Sequence, residues 1–113
     1  LQLNNRLTTE PMTIGETTIP AGTFLTLGIG AANRDPDQFE QPEHLDIGRS
    51  PNNHVAFGQG RHACSGMNVA RLEGRIAFSA LARRFPSIDL SGKPERDPRI
   101  RFRGFRRLPV VMN

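Results

Sequence analysis

Phe57-Gly58-Gln59-Gly60-Arg61-His62-Ala63-Cys64-Ser65-Gly66-Met67-Asn68-Val69-Ala70-Arg71 sets the only cysteine of the chain between a glycine-rich loop and the start of a helix. Gly58 and Gly60 allow backbone conformations closed to residues with a Cβ, so the loop can wrap tightly around one sulfur. Free amides in such a loop, and in the first helical turn, favour a thiolate over a thiol. Gly66 leaves room for a flat group to approach the sulfur. Phe57 is bulky and apolar enough to shield it. A single cysteine excludes an internal disulfide, so the thiolate is free to act as a metal ligand. The bland alternative, an inert buried cysteine in a turn, needs none of these neighbours.

This stretch resembles the haem-binding loop of the cytochromes P450. The family pattern is Phe-x-x-Gly-x-x-x-Cys-x-Gly, with Ala and Arg further along the helix. Phe57, Gly60, Cys64, Gly66, Ala70 and Arg71 match it. Three other segments agree in order and spacing. Gly15–Thr23 is similar to a hairpin with an Ile-Pro-x-Gly turn. Asn33–Phe39, followed by Pro42, Leu45, Asp46, Ile47 and Arg49, is similar to the "meander" before the haem loop. Arg103–Val110 is similar to a C-terminal strand pair.

The resemblance implies that Cys64 is the axial ligand of a b-type haem, with Phe57, Gly58, Gly66 and Ala70 around it. Arg6 and His62 would meet the haem propionates, since a guanidinium fork suits a carboxylate. Leu1, Gln2, Leu3 and the turn at Phe105 would line the pocket of a small apolar substrate. Arg61, Arg71 and Arg75 would face an acidic, ferredoxin-like electron donor. Arg49 would fill the place of a meander arginine that pairs with a Glu-x-x-Arg helix, and without that helix it is expected to be unpaired.

The family's oxygen-activating helix and its Glu-x-x-Arg helix have no counterpart in this sequence. The expectation is therefore the C-terminal, haem-thiolate part of an oxygen-inserting monooxygenase, with no catalytic residue of its own. Alone it is expected to be inactive and to hold haem weakly or not at all. The competing expectation is a P450-like protein without enzymatic role, folded by self-association or on a partner. A simple haem-binding protein is a third.

The 113 residues suffice for one domain at most. Hydrophobic residues make up 36% and aromatics 6%, with 11 Gly and 9 Pro, which suits a loop-rich piece leaning on a larger body. The formal charge is +4, and every basic residue but Lys93 is arginine. Nucleic-acid binding would need stacking aromatics or a known motif, and neither is present. No run is apolar enough to span a membrane and no signal peptide opens the chain, so a cytoplasmic location is expected. His44, His54, His62 and Cys64 match no zinc-site spacing.

The expected fold is α+β: one long helix, small antiparallel hairpins and a long meander. Residues 1–32 read as a hairpin region, with strands flanking Gly15-Glu16, a Pro20-Ala21-Gly22 turn and a helical turn or two within 27–32. Residues 33–56 read as the meander and 57–66 as the cysteine loop. Residues 65–85 read as the helix, its Val69, Leu72, Ile76 face packed on the small sheets and its end set by Pro86. Residues 86–113 read as a C-terminal hairpin. Ile88–Leu90 should start a strand, and Arg99–Arg103 alternate as a strand with one charged face. Ile100–Phe102 should pair with Leu108–Val111.

Overall fold

The computed structural model describes residues 1–113. It divides into two compact units: residues 1–56 with 99–102, and residues 57–98 with 103–113. All four sheets are two-stranded and antiparallel, so the α+β expectation suits the elements found.

In the first unit, β1 (Asn4–Leu7) pairs with β4 (Phe24–Leu27), and β2 (Met12–Ile14) pairs with β3 (Thr17–Ile19). The β2–β3 loop is Gly15-Glu16, with Gly15 at φ +58, the position where a two-residue hairpin favours glycine. Gly22 at φ +76 completes the turn expected after Ile19. Thr8 locks this region. Its hydroxyl donates to the Pro20 carbonyl at 2.7 Å and accepts from the Thr23 amide at 2.8 Å. Its carbonyl accepts from the Gly22 amide at 2.8 Å. Thr8 is the buried polar residue of the chain and Phe39 the buried apolar one.

A single helical turn, α1 (Ile29–Ala32), leads into the meander, which has no regular element. The Asp35 carbonyl accepts from the Gln38 and Phe39 amides, and the Asp35 carboxylate from the Asp37 amide. Arg49 has no ion pair, as expected, but its guanidinium is not without hydrogen bonds. Its guanidinium donates to the Glu40 carbonyl at 2.7 Å and, more weakly, to those of Gln41 and His44. Those carbonyls turn inward around Gln41, which stands at φ +47.

In the second unit, a 3₁₀ turn at Gly60–His62 precedes α2 (Met67–Arg84), the longest element. The helix starts two residues later than expected. Ser65 and Gly66 belong to the turn that presents the cysteine, with the Met67 amide bonding to the Cys64 carbonyl at 3.2 Å. Arg83 and Arg84 fill the last turn, where cations suit the helix dipole. Phe85 is extended, as the residue before a proline prefers.

The tail differs from its expected pairing. β5 (Ile88–Leu90) pairs with β8 (Val110–Met112), and nested inside them β6 (Glu95–Arg96) pairs with β7 (Phe105–Arg107). Arg99–Arg103 is not a charged strand: Ile100–Phe102 lies in a turn, and the Gln2 amide bonds to the Arg101 carbonyl at 2.9 Å. Pro98 supplies no N–H to a ladder, which moves pairing to either side of it. Across β6–β7, Arg96 sits over the Phe105 ring at 4.3 Å, and Arg107 faces Glu95 at 3.8 Å.

The expected cover on α2 is also absent. Val69, Leu72 and Ile76 are 59%, 54% and 61% exposed, and no residue of the helix is buried. The periodicity that marks an apolar face identifies the face but not what covers it.

Candidate functional site

The cysteine loop is closed at its base by the Cys64 amide, which donates to the Phe57 carbonyl at 2.8 Å. Two glycines make that closure possible. Gly58 stands at φ +72, and a Cβ there would meet the His62 carbonyl at 3.2 Å. Gly60 stands at φ +65 and starts the 3₁₀ turn, whose first carbonyl accepts from the Ala63 amide at 3.1 Å. The local reading of both residues holds.

Gly66 is a different case. It is the N-cap of α2 at φ −86 and ψ 5, a conformation open to any residue. A Cβ there would find only Cys64 Sγ, at an unstrained 3.9 Å. No clash with the chain's own packing calls for glycine at this point, although an N-cap favours glycine over larger apolar residues. The missing side chain leaves an open shelf beside the sulfur, as a flat macrocycle resting on the thiolate would need. Cys64 itself is exposed. The Ala70 amide makes the first α-helical bond, to the Gly66 carbonyl at 2.9 Å. The helix therefore starts just past the sulfur.

Phe57 is half-buried, and its ring carries the Arg71 guanidinium at 5.4 Å. Sequence reasoning placed Arg71 on a partner surface and missed this contact. The spacing of 14 residues between Phe57 and Arg71 carries no signal of it. Arg61, Arg71 and Arg75 are all exposed, and Arg71 and Arg75 lie one helical turn apart on α2. His62 is exposed at the end of the 3₁₀ turn.

The remaining candidates belong to the first unit, except Phe105, which lies in the second. Arg6 lies on β1 opposite Leu25, half-buried, and donates to the Asn5 carbonyl at 2.8 Å. Leu1–Leu3 precede β1, and the Gln2 carbonyl accepts from the Gly30 amide at 3.0 Å. Phe105 is not in a turn, since it lies within β7. The tail residue that joins Gln2 is Arg101. The alternating pattern disguised that turn as strand. His44 and His54 line an open polar hollow of about 270 Å³ in the meander, together with Asn33, Phe39 and Arg49.

No helix is long and apolar enough to cross a membrane. The family described as Cytochrome P450 matches residues 1–110. Polyketide biosynthesis cytochrome P450 PksS of Bacillus subtilis is 45% identical over 116 aligned positions, spanning 100% of this chain and 29% of PksS. The biotin biosynthesis cytochrome P450 of the same organism is 44% identical, over 97% of this chain and 28% of its own. Among solved structures, P450BioI with an acyl carrier protein ligated to hexadec-9Z-enoic acid superposes with a TM-score of 0.93. It is 42% identical, and the match covers 99% of this chain and 29% of that one. CYP109E1 from Bacillus megaterium with testosterone gives a TM-score of 0.94 at 33% identity, over 99% of this chain and 32% of its own. The chain thus spans about three-tenths of the length of the relatives it matches. The chain belongs to the cytochrome P450 family.

Proposed function

We propose that these residues form the haem-thiolate-binding, C-terminal part of a P450 monooxygenase, with Cys64 as the proximal ligand. The exposed Cys64 beside Gly66, where a side chain would meet nothing of the chain but the sulfur, carries this reading. When bound, haem supplies oxygen activation, and an axial thiolate favours O–O cleavage. The protein residues have narrower tasks. Gly58 and Gly60 shape the loop, the start of α2 follows directly on the sulfur, and Phe57 limits water at the ligand. His62 and Arg6 are proposed to hold the propionates. Leu1, Gln2 and Leu3 are proposed to border the pocket of a small apolar substrate. Arg61, Arg71 and Arg75 are proposed to receive an acidic electron donor. Proton delivery and the distal cover lie outside these residues.

The test is the absorption spectrum of the reduced, CO-bound protein before and after Cys64→Ser. The thiolate signature should be present and then lost. A Cys64→Ser protein that kept it would overturn the ligand assignment.

One observation favours a second reading. The apolar face of α2 is exposed, and Phe39 and Thr8 are the buried residues of the chain. A P450-like protein with no enzymatic role, folded by self-association or on a partner, would present such a face. Absence of the thiolate signature from every assembly containing these residues would support that reading over the first.

A further inference from the structure

We infer that Arg101 is a specificity-determining residue that receives a carboxylate of the substrate, so that the substrate class is an apolar body ending in an acid. The inference rests on the proposed pocket border at Leu1, Gln2 and Leu3. Arg101 is tied to the N-terminal segment through both its backbone and its side chain. Its carbonyl accepts from the Gln2 amide at 2.9 Å. Its guanidinium donates to the side-chain oxygen of Asn5 at 2.9 Å, while the Asn5 side-chain nitrogen donates to the Asn4 carbonyl at 3.0 Å. An arginine on an exposed turn ordinarily samples many rotamers, and binding would have to order it. Here Asn5 orders it in advance, which favours capture of a ligand.

Arg6 meets the same asparagine, donating to the Asn5 carbonyl at 2.8 Å. One residue thus gathers two guanidinium groups, and neither is paired with a carboxylate of this chain. Two cations gathered on one residue repel each other, and an anion beside them relieves that repulsion. Each uses one N–H on Asn5, and the other N–H groups of the planar fork suit a carboxylate. Arg6 is proposed for a haem propionate. That leaves Arg101, the one bonded to the pocket border, for the substrate. Ile100 and Phe102 flank it in the turn and are 76% and 56% exposed, and Leu1 is 50% exposed. These side chains offer apolar surface for the body of such an acid.

The test is titration of the full-length haem protein with dodecanoate and with dodecanol, each read as the change in the haem absorption band. Dodecanoate should bind more tightly than the alcohol. Arg101→Gln should weaken dodecanoate about tenfold or more, as loss of hydrogen bonds to a charged group does, and leave the alcohol unchanged. Arg101→Lys keeps the charge without the fork and should recover part of the loss. Equal losses for acid and alcohol, or no loss for either, overturn the inference. A fall in haem affinity with dodecanoate binding unaltered also overturns it, since Arg101 would then hold a propionate. The reduced, CO-bound spectrum separates the two levels. Absence of the thiolate signature from the unaltered protein sinks the haem-thiolate reading and this inference together. An intact signature with no preference for acid over alcohol sinks this inference alone.

Discussion

The amide of Cys64 donates to the carbonyl of Phe57 across a loop that holds both Gly58 and Gly60 at positive φ. The backbones of Cys64 and Phe57 are thereby fixed to each other. The glycines of the loop can be tested separately.

Gly58→Ala and Gly60→Ala should each destabilise the loop by about 1–2 kcal/mol, the cost of a left-handed conformation for a residue with a Cβ. Gly58→Ala should be the worse, because its Cβ also meets the His62 carbonyl at 3.2 Å, while one at Gly60 meets open space. Denaturant midpoints of the full-length protein, read at the haem band, would rank them. The reverse order would contradict the loop geometry.

Gly66→Leu should behave in the opposite way. No clash awaits a side chain there, so the apoprotein should lose no more than the preference of an N-cap for glycine over leucine, about 1 kcal/mol. Haem binding should weaken about tenfold, an effect within the usual overpacking cost of about 1–3 kcal/mol. Haem titration beside circular dichroism of the apoprotein would separate the two. Unchanged affinity would remove the shelf as the reason for glycine.

Thr8→Val should cost about 1–3 kcal/mol, because it removes a hydroxyl that both donates to Pro20 and accepts from Thr23. Thr8→Ser should retain most of that stability. Hydrogen exchange at the Thr23 amide is the local readout, and protection unchanged in Thr8→Val would show the clamp to be incidental.

The 113 residues expressed alone should be oligomeric and bind haem weakly or not at all. The Val69, Leu72 and Ile76 face of α2 is left in water, each apolar Å² costing about 25 cal/mol there. Leu72→Glu with Ile76→Glu should shift light-scattering masses toward the monomer. A monodisperse, unaltered monomer carrying stoichiometric thiolate-ligated haem would contradict this.

Association of the full-length protein with an acidic electron donor should slow on Arg75→Glu, and the difference should shrink as salt rises. Stopped-flow rates at two ionic strengths would show it. Equal rates for both proteins at low salt would take Arg75 out of the docking surface.

The cysteine loop, the Gly15-Glu16 hairpin, the Gly22 turn and the long helix were legible because each is written in local terms: glycine where φ is positive, apolar residues at helical spacing, proline at the end. What was not legible depends on distant partners. Alternation across Arg99–Arg103 describes the side chains, not a neighbouring strand, and Pro98 moved the pairing elsewhere. The carbonyls that receive Arg49 lie five to nine residues away and point inward only after the meander has folded. The face bearing Val69, Leu72 and Ile76 was correctly read as apolar, but periodicity cannot name its cover. Arg71 was assigned by charge, and its contact with Phe57 comes from bringing helix and loop together.

The nested tail also implies an order of events in folding. Glu95 meets Arg107 across a short connection, whereas Ile88 meets Met112 across the entire inner hairpin. Once β6 and β7 have joined, the outer ends are already near one another and little loop entropy remains to be lost. The tail should zip outward from the Arg96–Phe105 contact. Truncating Phe105 to Ala should then chiefly slow the folding rate, while Ile88→Ala or Met112→Ala should chiefly hasten unfolding. The last bond to close would be that of the Asn113 amide to the Ser87 carbonyl, making the far end of the ladder the first place to fray.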